Sequence, residues 1–160
     1  MKVTEIKLQG CFMIEPTIFD DGRGVFFESF NQQKFNKKTG IEVDFVQDNQ
    51  SVSQKGVLRG LHFQKNEFSQ AKLVRVIKGK VLDIVLDLRK NSKTFGKIKE
   101  YLIGRPNAFH LLRIPPQVYY GFKGLHEKIS LIANCADIPH FPDEVEKIDI
   151  NNTMIPYQWS

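Results

Sequence analysis

Apolar residues along this chain recur in short runs, mostly at alternate positions, with glycine, proline or polar clusters between the runs. The stretch KLVRVIKGKVLDIVLDLR, Lys72 to Arg89, shows the pattern most clearly. Val74, Val76, Val81, Ile84 and Leu86 are β-prone, and Lys78-Gly79-Lys80 reads as the turn of a hairpin. IKEYLIG, FHLLRIPP and KISLIANCAD follow as further strands. One short helix is expected over Asn31 to Gly40, NQQKFNKKTG, where an asparagine suits the N-cap and a glycine the C-terminal cap. Many short strands with few helices exclude a βαβ architecture and predict an all-β, antiparallel barrel or sandwich. The 160 residues, 1–160, read as a single domain.

Within such a barrel, inward-facing polar residues would line a pocket. GVLRGLHFQ, residues 56–64, is the candidate. Strict alternation puts Arg59 and Leu61 on one face and Gly60, His62 and Gln64 on the other. A bulge at Gly60 would bring Arg59 and His62 onto the same face.

Composition changes this picture little. Thirteen phenylalanines and a hydrophobic fraction of 41% supply a substantial core. No run approaches the ~20 apolar residues of a membrane span. The first ten residues alternate polar and apolar positions, without the apolar centre of a signal peptide, so a cytoplasmic protein with no membrane partner is expected. Cys11 and Cys135 lie in apolar stretches and are expected as buried free thiols. The net charge of +5 favours an anionic partner, such as a nucleotide or phosphorylated sugar. The lysines are scattered and not interleaved with aromatic residues, so nucleic acid is not the expected ligand. His62, His110, His126 and His140 are dispersed without a His-x-His pair, so no metal is expected.

Several segments, in order, resemble one family. FDDGRGVFFESF, FVQDNQSVSQKGVLRGLHFQ, QAKLVRVIKGKVLDIVLDLRKNSKTFGK and LLRIPPQVYYGF are similar to segments of the dTDP-4-dehydrorhamnose 3,5-epimerase family. The resemblance implies a cupin-like jelly-roll barrel with one or two short helices, and a homodimer. It implies an isomerase acting on a nucleotide-linked 4-keto-6-deoxyhexose without a cofactor, in polysaccharide or antibiotic sugar synthesis. A ketone at C4 acidifies the hydrogens at C3 and C5, so a base can form an enolate and an acid can return a proton to the opposite face.

Carried over residue by residue, the resemblance implies His62 as the base and Lys72 as the cation facing the enolate. It implies Arg59 and Arg23 as ligands of the diphosphate. Phe26 and Glu28 fall beside the nucleoside, and Gln47 and Asn49 line the pocket. His140 or Phe141 is placed to stack on the nucleotide base.

The chain departs from the family pattern at three places. LIANCAD puts Ala133 where the family has its acidic tyrosine, leaving Tyr120, Tyr119 or water as proton donor. Tyr120 also replaces the family's second histidine. The family's carboxylate partner of the base lies beyond its final tryptophan. This sequence ends at Trp159-Ser160, so Asp83 is the expected substitute. These departures leave a single-centre epimerase, a 3,4-keto-sugar isomerase and a non-catalytic sugar-nucleotide binder as readings beside the full epimerase.

Overall fold

The computed structural model describes residues 1–104, 109–149 and 152. Two antiparallel sheets face one another. The first contains, in spatial order, β1 (Lys2–Glu5), β2 (Phe12–Glu15), β10 (Leu111–Ile114), β7 (Lys72–Lys78), β12 (Ile129–Ala136) and β5 (Gln47–Gln54). The second contains β13 (Val145–Lys147), β6 (Leu58–Gln64), β11 (Val118–Gly124), β8 (Lys80–Asp87) and β9 (Ile98–Gly104). A separate hairpin is formed by β3 (Ile18–Asp20) and β4 (Val25–Phe27). This is the all-β, antiparallel architecture that the strand pattern predicts, in the cupin-like jelly-roll form that the family resemblance implies.

Period-two alternation sorts the apolar residues between faces. Val74, Val76, Val81, Val85, Leu112 and Ile132 point between the sheets and form the main core. Leu73 and Leu111, on the opposite face of the first sheet, meet Phe12, Ile14 and Phe35 in a second cluster. Phe35 comes from the helix α1 (Gln32–Thr39), where it is the buried residue. Its ring lies edge-on to Phe12, with centroids 5.7 Å apart. Burying one such ring stabilises the fold by about 1.5–3 kcal/mol. The helix ends lie where the sequence places them. Asn31 Oδ1 accepts from the Lys34 N–H at 3.0 Å, and Gly40 adopts φ 71° while its N–H donates to the Asn36 carbonyl.

Lys78-Gly79-Lys80 is not a hairpin turn. β7 pairs with β10 and β12, whereas β8 pairs with β11 and β9. Gly79 therefore carries the chain from one sheet to the other. It has φ 84°, and a Cβ there would lie 2.7 Å from the Ile129 carbonyl oxygen. A tight sheet-to-sheet corner demands glycine as strongly as a hairpin does, so the sequence signal is the same for both. Cys135 also departs from expectation. Cys11 is buried, and burial pushes its thiol up to about 12, but Cys135 is only partly buried, with Sγ 3.6 Å from Asp48 Oδ1.

The ladder between β6 and β11 contains the predicted irregularity. Tyr120 pairs with His62 and Phe122 with Arg59, so two steps on β11 correspond to three on β6. Gly60 carries the bulge with φ 109°, and a Cβ there would meet Gly121 Cα and the Tyr120 carbonyl oxygen at 2.5 Å. Leu61 turns outward into a third apolar cluster with Ile84 and Tyr119.

Candidate active site

The bulge places Arg59 and His62 on one inward wall, because cross-strand partners share a face and both now pair with inward residues of β11. The two residues line a pocket of about 820 Å³ between the sheets. The facing sheet contributes Ser51 from β5, Lys72 from β7 and Asn134 from β12. His140 and Lys147 lie at the rim, Lys147 directly opposite His62 in the β13–β6 ladder. Among the described residues no aspartate or glutamate lines this pocket, whereas Arg59, Lys72 and Lys147 do. Such a cavity favours an anion.

His62 is held well below its ordinary titration, at about 4. Burial is the main cause, followed by the charges of Lys72, Lys147 and His140. At neutral pH its imidazole is therefore uncharged and able to accept a proton. Burial also lowers the Lys72 ammonium. Arg59 is fixed at one end only. Its Nε donates to Ser53 Oγ at 3.1 Å, which leaves the terminal fork for a ligand.

Gln47 and Asn49 do not line the main pocket. They line a smaller recess that shares Lys72, Asn134 and His140 with the main pocket. Amides link this wall. Gln47 Nε2 donates to Asn49 Oδ1 at 2.7 Å, and Asn49 Nδ2 donates to Asn134 Oδ1 at 3.3 Å. The backbone N–H of His140 donates to Gln47 Oε1 at 2.8 Å, and the buried Gln64 carboxamide accepts from the Phe141 N–H, so the rim loop is tied at two points. Phe141 itself packs on Phe68, with centroids 4.5 Å apart, and does not line the pocket.

Tyr120 lines the pocket beside His62, and its hydroxyl donates to the buried Asp83 Oδ1 at 3.0 Å. Asp83 is thus the partner of Tyr120 and not of His62. Tyr119 is placed elsewhere. Adjacent strand residues point to opposite faces, so its ring packs on Phe63 outside the barrel, and its hydroxyl donates to Glu146. Tyr119 therefore does not line the His62 pocket; it lines a separate groove with Phe63 and Glu146.

Arg23, Phe26 and Glu28 are likewise not brought to the pocket of their own chain. Arg23 and Phe26 belong to the β3–β4 hairpin, where Arg23 pairs with Asp21 and Phe26 is 72% exposed. Glu28 accepts from Asn31 Nδ2 and Lys34 Nζ at the start of α1. Ala133 also faces away. It pairs with Arg75, whose Nη1 donates to Ser29 Oγ outside the barrel. The neighbouring Asn134 is the inward residue, so an amide, not alanine, occupies this wall. Asn134, Ser51 and Lys147 were not singled out from the sequence. Asn134 carries a weak signal, a polar residue between the inward Ile132 and Ala136. Among the described residues no cluster of three or more His, Cys, Asp or Glu side chains converges to hold a metal.

Comparison with known proteins follows this geometry. The family described as dTDP-4-dehydrorhamnose 3,5-epimerase matches residues 5–160. The dTDP-4-dehydrorhamnose 3,5-epimerase of Escherichia coli K12 is 46% identical over 159 residues, covering 99% of this chain and 85% of that protein. The crystal structure of the Elizabethkingia anophelis dTDP-4-dehydrorhamnose 3,5-epimerase superposes with a TM-score of 0.93 at 38% identity, over 99% of this chain and 86% of that one. The Legionella pneumophila dTDP-6-deoxy-D-glucose-3,5-epimerase, in complex with dTDP-4-keto-L-rhamnose, superposes with a TM-score of 0.90 at 34% identity, over 99% of this chain and 82% of that one.

Proposed function

The chain belongs to the dTDP-4-dehydrorhamnose 3,5-epimerase family, and from that premise we propose how its pocket acts on a dTDP-linked 4-keto-6-deoxyhexose in deoxysugar biosynthesis. The chain is an isomerase of the epimerase class. The observation that carries the mechanism is a pocket with no carboxylate among the described residues, in which a neutral, half-buried histidine on one sheet faces a lysine on the other.

His62 takes the proton from the carbon next to the C4 ketone. Its neutral state at physiological pH is the form a base requires. The Lys72 ammonium lies toward the C4 oxygen and stabilises the enolate as charge develops there. Inversion needs a proton returned from the side opposite His62. Among the described residues Lys72 is the one ionisable side chain that the facing sheet brings into the pocket, and its burial-lowered ammonium is the donor. Arg59 grips the diphosphate through its free fork, with Lys147 beside it. Gln47, Asn49 and Asn134 form a polar wall for the sugar hydroxyls and nucleoside.

The functional unit in this reading is a homodimer, with 1–160 acting as one domain. Arg23 and Phe26 stand on an exposed hairpin that also presents Ile18, Phe19 and Val25 to solvent. An apolar surface of that kind favours covering by a second copy. In the dimer Arg23 and Phe26 reach the nucleotide in the neighbouring pocket. The two cysteines, free in this structure, fit a reducing compartment, the cytoplasm.

The test is a comparison of wild type with His62→Ala on dTDP-4-keto-6-deoxyglucose. The variant should bind dTDP and lose turnover. Full turnover in the variant would remove His62 from the role of base.

A further inference from the structure

Asp83 is a buried titratable group that takes no part in the proton transfer from His62 or the contacts of Lys72 and Arg59. It sits in the middle of the second sheet with no solvent exposure. Oδ1 accepts from the Tyr120 hydroxyl at 3.0 Å, and Oδ2 has no hydrogen-bond partner. Its register partners are Phe122 on β11 and Tyr101 on β9. The other titratable groups of the same core are the uncharged Tyr101, Tyr120 and Cys11. The pocket contributes Lys72 and His62, and among the described residues no ion pair includes Asp83.

We propose that Asp83 is a positioning residue that works as a neutral carboxylic acid, donating its proton to the Tyr120 oxygen and so directing the Tyr120 hydroxyl proton into the pocket, onto the C4 oxygen of the substrate. This deepens the epimerase reading and rests on it.

A carboxylate can only accept, so an ionised Asp83 would hold the single Tyr120 proton in the core. It would also be a buried anion with one donor and one bare oxygen, an unfavourable state. A neutral Asp83 reverses the bond. Its own O–H donates to the tyrosine oxygen, and the phenol O–H is free to rotate about its C–O bond and point away from Asp83. Tyr120 stands between Asp83 and the pocket and is the link between them. Burial raises Asp83 to about 7, against the lowering effect of the Tyr120 bond, so both states are accessible near neutral pH. As the pH rises and Asp83 ionises, the Tyr120 proton turns inward and the enolate loses one donor. Removal of one such donor lowers kcat about a hundredfold or more.

Two readouts test this. Infrared difference spectroscopy on the ligand-free protein, titrated through neutral pH, should show a protonated-carboxyl C=O band in wild type that is missing in Asp83→Asn. The pH dependence of kcat should show an alkaline limb in wild type that disappears in Asp83→Asn, whose amide N–H donates to Tyr120 at every pH. Tyr120→Phe should lower kcat about a hundredfold and also lack the limb. An unchanged alkaline limb in Asp83→Asn overturns the proposal, as does the absence of an Asp83 carboxyl band at neutral pH. The infrared measurement needs no turnover. A chain that binds dTDP, shows the band and turns nothing over would sink the epimerase reading while upholding the protonation of Asp83.

Discussion

Arg59 and His62 are three residues apart on β6, yet they pair with Phe122 and Tyr120, which are two apart on β11. That one-residue mismatch puts the guanidinium and the imidazole on the same wall. It depends on Gly60, where a Cβ would collide with backbone atoms at 2.5 Å. Gly60→Ala should therefore cost roughly 3 kcal/mol of stability, from a strained φ and a clash that backbone cannot relieve. Urea unfolding would measure it. The surviving folded fraction should bind dTDP poorly, because Arg59 and His62 can no longer share a wall.

Arg59 offers its fork to the ligand with only Nε occupied, by Ser53. Hydrogen bonds to charged groups contribute about 1.5–3 kcal/mol, so Arg59→Ala should weaken dTDP binding by roughly tenfold to a hundredfold. Arg59→Lys should recover only part of this, since an ammonium cannot make the paired contact. Calorimetric titration distinguishes the two variants.

Lys72 faces His62 from the other sheet and lacks any carboxylate neighbour in the pocket. Lys72→Met keeps the length and removes the charge. It should lower kcat by about a hundredfold to a thousandfold, with a much smaller change in the affinity for dTDP. A comparable loss in both quantities would assign Lys72 to binding alone.

His62 titrates at about 4 in the folded chain, below the ordinary histidine value near 6.5. The acid limb of kcat/KM should fall near that lower value. The sign for stability follows from the same shift. Between the two values the unfolded chain binds a proton that the folded chain refuses. His62 therefore lowers stability as pH falls from about 6.5 to about 4, and has no such effect above that window. His62→Gln should show a shallower loss of stability over this range in unfolding experiments at stepped pH.

Much of the scaffold was legible because it depends on local chemistry. Asn31 and Gly40 mark the two ends of α1, since a side-chain cap and a positive φ are properties of single residues. The bulge at Gly60 was readable because an arginine and a histidine could share a pocket only if the register slipped. The corner at Gly79 was misread as a hairpin because both structures use the same left-handed glycine. Tyr119 and Tyr120 could not be separated until β11 had a register, since neighbouring strand residues take opposite faces. Ala133 and Asn134 pose the same problem on β12. Arg23 and Phe26 are exposed and away from this pocket because their hairpin, β3–β4, pairs with neither sheet, a separation no spacing rule in the sequence shows.

The most direct test of the account is proton NMR of the purified chain with dTDP-4-keto-6-deoxyglucose in deuterium oxide. The account predicts loss of the C3 and C5 proton signals together with the couplings of an inverted product, and no such loss with His62→Ala. Retention of both signals by wild type, under conditions where dTDP titration shows the pocket occupied, would contradict it.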